Sequence, residues 1–159
     1  MRKLFLLSIA CFGFIAVSSA QDISPNALGL RMGDSDGFGA EVSYQRALSD
    51  SNRLEFDLGW RSGNNYDGFK LAGLYQWVWR IDGAFNWYAG VGGGLVSFSG
   101  TNSLEGTDGT SVFAAGDVGI EYNFDIPLQI SLDFRPEFGN SDFTDNTVFD
   151  IALGLRYQF

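Results

Sequence analysis

The segment from Ile151 to Phe159 alternates without interruption: Ile151, Leu153, Leu155, Tyr157 and Phe159 are apolar, and Ala152, Gly154, Arg156 and Gln158 between them are small or polar. A period of two puts the two sets on opposite faces of a β-strand. The same alternation recurs between clusters of Gly, Asp, Asn, Ser and Pro, and predicts strands at 26–33, 37–48, 52–62, 68–81, 84–98, 110–124, 127–139 and 145–159. Eight strands and no sustained helical period beyond residue 20 make an all-β chain. Alternation alone does not say which face meets the interior, because soluble and membrane barrels alternate in opposite senses.

Before the first strand, Arg2 and Lys3 precede an apolar run from Leu4 to Val17, followed by Ser18, Ser19 and Ala20. This is the pattern of a secretory signal peptide, so residues 1–20 are expected to be removed and 21–159 to form one domain. The run is shorter than the ~20 apolar residues of a spanning helix. Cys11, the only cysteine, lies inside it. Ala10 before the thiol admits a lipoprotein signal, but Ser8 stands where Leu is usual, and that cut would leave Phe12 to Val17 as an apolar mature start. The expected mature chain has no thiol for a disulfide or a thiolate. With Arg2 and Lys3 gone, eight of the ten basic residues remain against 19 acidic ones, a net charge of −11. Such a balance argues against nucleic acid as a partner. Histidine is absent, which excludes a Ser-His-Asp hydrolase and a His-ligated zinc centre.

The predicted connections fall into two kinds. On the side of the N-terminus they read "LSDSN", "IDGAFN" and "NFDIP"; on the far side they read "GDSDG", "SGNNYDG", "SGTNSLEGTDGTS" and "GNSDFTDN", mostly longer. Short turns at one end and longer loops at the other are the habit of an outer-membrane barrel. Carried through all eight strands, the phase puts Arg31, Arg53, Arg61, Lys70, Arg80, Arg135 and Arg156 on the polar face with Glu41, Glu55, Asp57, Asp117, Glu121, Asp133, Glu137 and Asp150. Arg46 alone of the mature cations falls outside that set, near a turn. Seven positive against eight negative charges suit a closed lumen, where an unpaired charge is costly. The apolar face carries Tyr44, Trp77, Trp79, Trp87, Tyr122, Phe124, Tyr157 and Phe159 toward the near turns, and Phe38, Trp60, Phe69, Phe138 and Phe149 toward the far loops. Two aromatic bands around aliphatic positions match the girdles of a barrel in lipid. The expected fold is an eight-stranded antiparallel up-and-down transmembrane β-barrel with a polar, filled lumen.

From Gln21 to Phe159 the chain resembles the small eight-stranded outer-membrane β-barrels of Gram-negative bacteria, a family that includes outer membrane protein X and the transmembrane half of outer membrane protein A. "LGLRYQF" is similar to the C-terminal signal that such proteins present to the barrel-assembly machinery, with Leu153, Leu155, Tyr157 and Phe159 at the motif positions. The resemblance implies an integral outer-membrane protein that contacts outer-membrane lipid and lipopolysaccharide, with any extracellular partner meeting its loops.

The glycine run Gly90, Gly92, Gly93 and Gly94 lies inside a strand pattern rather than between a strand and a helix, so a phosphate loop is not expected. Gly90, Gly92 and Gly94 are instead expected to face inward and make room for arginines of adjacent strands. Asp34 and Asp36, with Glu105 and Asp108, offer oxygen ligands to a divalent ion but lack the rest of a calcium loop. Asp133 and Glu137 form a carboxylate pair among arginines, which reads as structure rather than catalysis. No cofactor or metal is expected. The expected function is a non-enzymatic outer-membrane barrel with a structural role in the envelope or a surface role through its loops. The alternatives are a narrow channel or small-solute binding barrel, and a secreted soluble barrel holding an apolar ligand.

Overall fold

The computed structural model describes residues 23–33, 39–62, 66–100, 109–139 and 147–159. The expected signal peptide, Phe38, and the loop acids Asp34, Asp36, Glu105 and Asp108 lie outside the described residues. Eight strands follow one another: β1 Asn26–Met32, β2 Ala40–Ala47, β3 Asn52–Ser62, β4 Tyr66–Asp82, β5 Phe85–Gly100, β6 Gly109–Asn123, β7 Leu128–Gly139 and β8 Thr147–Gln158. Each pairs antiparallel with the next, and β1 pairs with β8 to close a barrel. Reciprocal backbone bonds between Asn26 and Phe159, at 3.0 and 2.9 Å, finish the seam.

The register sets the barrel's dimensions. Partners followed around the sheet from Leu28 run through Tyr44, Phe56, Gly73, Gly93, Ala114 and Phe138 to Thr147. Across the seam, however, Leu28 pairs with Tyr157, a stagger of ten residues along β8. Ten residues of stagger over eight strands correspond to a strand tilt of about 40° and a backbone radius of about 8 Å. An interior of that width is filled by side chains.

At the end bearing Asn26 and Phe159, residues 48–51, 83–84 and 124–127 make the connections. Gly83 takes a left-handed φ of 52° in the two-residue turn between β4 and β5, where a side chain would be strained. At the far end the connections are 33–39, 63–65, 101–108 and 140–146. "SGNNYDG" contracts to three linking residues because β3 and β4 stay paired out to Ser62 and Asp67.

The faces are inverted relative to a soluble protein. Leu132, Ile151, Leu153 and Trp60 lie on the outside and are exposed, Trp60 to 63%. Arg31, Arg53, Arg135 and Arg156 are among the most deeply buried side chains of the described residues. Along β8 and just past its end the outward set runs from Phe149 to Phe159, ten residue steps that at this tilt span about 25 Å, the height of the apolar band of a barrel in a membrane. Trp79 stacks on Trp87 with centroids 4.4 Å apart, and Tyr122 meets both Phe85 and Phe124, so paired aromatic rings cover the near end of β4 to β6.

The charged lumen as candidate functional site

The alternation turns every second residue of each strand into a space that water cannot solvate freely, so buried charges must find one another. From β1, Arg31 reaches Glu41 on β2 at 2.9 Å, Asp150 on β8 at 2.7 Å and Asp133 on β7 at 3.0 Å. From β7, Arg135 reaches Glu55 and Asp57 on β3, both at 2.8 Å. Strands β7 and β3 are four apart either way round, so this pair of contacts crosses the full diameter. From β8, Arg156 crosses to Ser43 at 3.0 Å and Glu55 at 3.2 Å and also donates to Ser131 at 2.8 Å.

Two more cations hold the ends. Toward the far loops, Lys70 contacts Glu137 at 2.6 Å and lies 5.3 Å from the centre of the Phe113 ring. Toward the near turns, Arg53 contacts Glu121 at 2.7 Å and Gln76 at 2.6 Å, with its guanidinium 4.8 Å from the centre of the Tyr88 ring. Below Arg53 the charges give way to amides: Gln158 and Gln129 both donate to Asn123, at 2.7 and 3.2 Å, and Asn86 donates to Glu121 at 3.0 Å. A cavity of about 10 Å³ remains beside Ile23, Gln45 and Gln129, room for a single water.

Several placements differ from the sequence expectation. Arg80 has the inward phase but is exposed and donates to the Gly83 carbonyl at 2.9 Å. The reason is geometric: β3 begins at Asn52, opposite Trp77, so Arg80 extends past the β2–β3 turn and out of the lumen. The side chain of Arg61 lies outside the described residues. Among the described residues the interior holds five of the seven expected cations, Arg31, Arg53, Lys70, Arg135 and Arg156, with all eight expected carboxylates, Glu41, Glu55, Asp57, Asp117, Glu121, Asp133, Glu137 and Asp150. Asp117 takes an amide in place of a close cation: Gln76 donates to it at 2.5 Å, while Arg135 stands 4.0 Å away.

The glycine run is also used differently. Gly90 faces the Gln76 side chain, and Gly94 is covered by the Phe113 ring, so neither clears space for an arginine. Gly154 does so, where a Cβ would stand 2.5 Å from Arg156 Nη1. Gly119 does the same for Tyr88, whose ring atoms would be 2.5 Å from a Cβ there. Ala72, Leu74, Val78 and Tyr88 make an apolar stretch of inner wall on β4 and β5. Leu153, Leu155, Tyr157 and Phe159 all lie on the outer face and are exposed. Among the described residues no group of three or more acidic or thiol side chains is placed to hold a metal ion.

The sequence matches no protein-family profile and no curated protein. Solved structures share the architecture, three of them as follows. The N-terminal β-barrel domain of Pseudomonas aeruginosa OprF superposes with a TM-score of 0.65 at 14% identity, covering 84% of this chain and 95% of that one. The fold is that of a small outer-membrane β-barrel. Neisserial surface protein A has a TM-score of 0.58 at 14% identity over 84% of this chain and 93% of that one. The attachment invasion locus protein Ail of Yersinia pestis, solved in complex with the heparin analogue sucrose octasulfate, has a TM-score of 0.52 at 18% identity over 86% and 97%. Identities this low carry the barrel architecture and nothing finer.

Proposed function

We propose that this chain is an integral outer-membrane barrel without enzymatic activity, whose closed body serves the envelope as structure and whose far-end loops are its surface for interaction. The carrying observation is the pair of arginine bridges across the lumen: Arg135 joins β7 to β3, and Arg156 joins β8 to β2 and β3, at right angles to any path along the axis. The amide collar at the near end supports the same reading, since Gln129 and Gln158 both bond to Asn123 across it. The apolar outer band supports placement in a bilayer, and the short near-end turns support a periplasmic location for the termini. The interior carboxylates are engaged by arginine, lysine or amide groups, which supports a structural use of charge over a catalytic one.

The test is single-channel conductance of the refolded protein in a planar bilayer, with gel mobility of boiled and unboiled samples reporting the folded barrel. Folded protein that gives no current is the expected result. Steady current through folded protein would overturn the closed-body reading and make Arg135 and Glu55 the first residues to mutate for ion selectivity.

A further inference from the structure

The outer face of the described strands carries one cation. On the outward phase of all eight strands the described residues are aliphatic, aromatic, small or neutral polar, apart from Asp67 at the far end and Arg46 near the termini. Arg46 is exposed and sits in register with Asn26 on β1 and Leu54 on β3. The next outward row contains Tyr44, Leu28, Tyr157 and Leu128. The guanidinium thus stands at the edge of the near-end aromatic girdle, one step beyond the apolar band.

Its position is held rather than left to chance. Asn26 Oδ1 accepts from Arg46 Nη1 at 2.7 Å and from the Tyr44 hydroxyl at 2.8 Å, while Asn26 itself is tied to Phe159 at the barrel seam. One edge of the guanidinium is occupied by this contact, and among the described residues no carboxylate pairs with the other. An unpaired fork of donors at this depth faces the layer where phospholipid phosphates lie. Arginine matches the geometry of a phosphate with two parallel hydrogen bonds, and cations beside an aromatic girdle are favoured at the headgroup level.

We propose that Arg46 binds the phosphate of a glycerophospholipid in the leaflet on the short-turn side, with Asn26 and Tyr44 positioning the guanidinium and the acyl chains lying on Leu28, Leu54 and Tyr157. Arg80, the other exposed cation near these turns, is spent on the Gly83 carbonyl and projects from the lumen mouth instead of the lipid face, which makes it the control. The site rests on the assignment of the apolar face to lipid.

The experiment is native mass spectrometry of the refolded protein released from detergent micelles containing phosphatidylglycerol, with folding checked first by gel mobility. Retention of phosphatidylglycerol should fall by about fivefold in Arg46→Gln, the change that one interfacial cation is worth at an anionic headgroup. Arg80→Gln should retain as much lipid as the unmodified protein, and Arg46→Lys should retain more than Arg46→Gln. Equal retention by Arg46→Gln, an equal loss in Arg80→Gln, or retention of phosphate-free diacylglycerol as strong as that of phosphatidylglycerol would each overturn the site. A chain that never enters vesicles and stays soluble would overturn the lipid-facing assignment as well, whereas normal insertion with unchanged lipid retention in Arg46→Gln removes only the site.

Discussion

Glu55→Gln tests whether the lumen's ion pairs hold this barrel together, because the two arginines on Glu55 are left in unequal positions. Glu55 accepts from Arg135 at 2.8 Å, from Arg156 at 3.2 Å and from Gln45 at 2.6 Å. Without the negative charge, Arg135 still has Asp57 at 2.8 Å, but Arg156 keeps only the hydroxyls of Ser43 and Ser131. A fully buried guanidinium is then stranded without a contacting carboxylate among the described residues. Breaking a buried pair from one side costs about 3 to 5 kcal/mol, and that is the expected loss. Arg156→Met removes the charge together with its demand for a partner, and Glu55 keeps Arg135 and Gln45, so about 1 to 3 kcal/mol is expected. The double variant has no stranded cation, and its loss should fall short of the sum by at least about 1.5 kcal/mol. Equilibrium urea unfolding in lipid vesicles, read by the fluorescence of the four tryptophans, measures all three. Additivity within about 0.5 kcal/mol would refute the claim that Glu55 and Arg156 depend on one another.

Three further outcomes are expected. Leu132→Arg, on the outer face near mid-height, should cost about 2 to 4 kcal/mol and Ile126→Arg, in the exposed β6–β7 turn, about 0 to 1, by the same unfolding assay; equal costs would contradict the outward assignment. Gly119→Ala should destabilise by about 1 to 3 kcal/mol, because the new methyl meets the buried Tyr88 ring, whereas Gly73→Ala, whose Cβ would rest 3.5 Å from the Phe56 ring, should change stability little; a reversed order would show that Tyr88 is not confined as described. Phe159→Ala keeps the backbone bonds to Asn26 but removes the terminal ring, so outer-membrane yield in cells should drop while the refolded barrel unfolds within about 1 kcal/mol of the unmodified protein; unchanged yield would remove the insertion-signal reading.

Much of the architecture is local and therefore legible. Whether a residue such as Leu132 or Asp133 shares a face with its neighbours depends only on parity within its strand. Turn residues such as Gly83 mark where one strand must give way to the next. What parity cannot reach is the height at which one strand meets another. Arg80 shares the phase of Gln76 and Val78, but Gln76 is paired with β3 and Val78 still donates to the Ser51 carbonyl of the β2–β3 turn at 2.8 Å, whereas Arg80 lies past that turn, a fact about a neighbour nearly thirty positions earlier in the chain. A single aromatic on the inward phase of β5 carries no signal of its own in the sequence; the place of Tyr88 depends on Gly119 of β6, where the missing side chain leaves room for the ring. Gly90 and Gly94 belong to a conspicuous run in the sequence, yet it is Gly154, next but one to Arg156 on β8, that leaves room for an arginine.

The sequence by itself determined that the chain is a set of eight amphipathic strands with a charged face, a lipid-compatible face and unequal loops, because all of these are properties of one strand or one turn at a time. Only the tertiary structure decided that Arg135 faces Glu55 and Asp57 across the diameter, that Arg156 relies on Glu55, and that Arg46 is the outward cation fastened to Asn26. Those pairings follow from the ten-residue stagger of the closed sheet, which rotates each strand's inward residues to a particular height. Closure is a condition on all eight strands together, and no single stretch of sequence contains it.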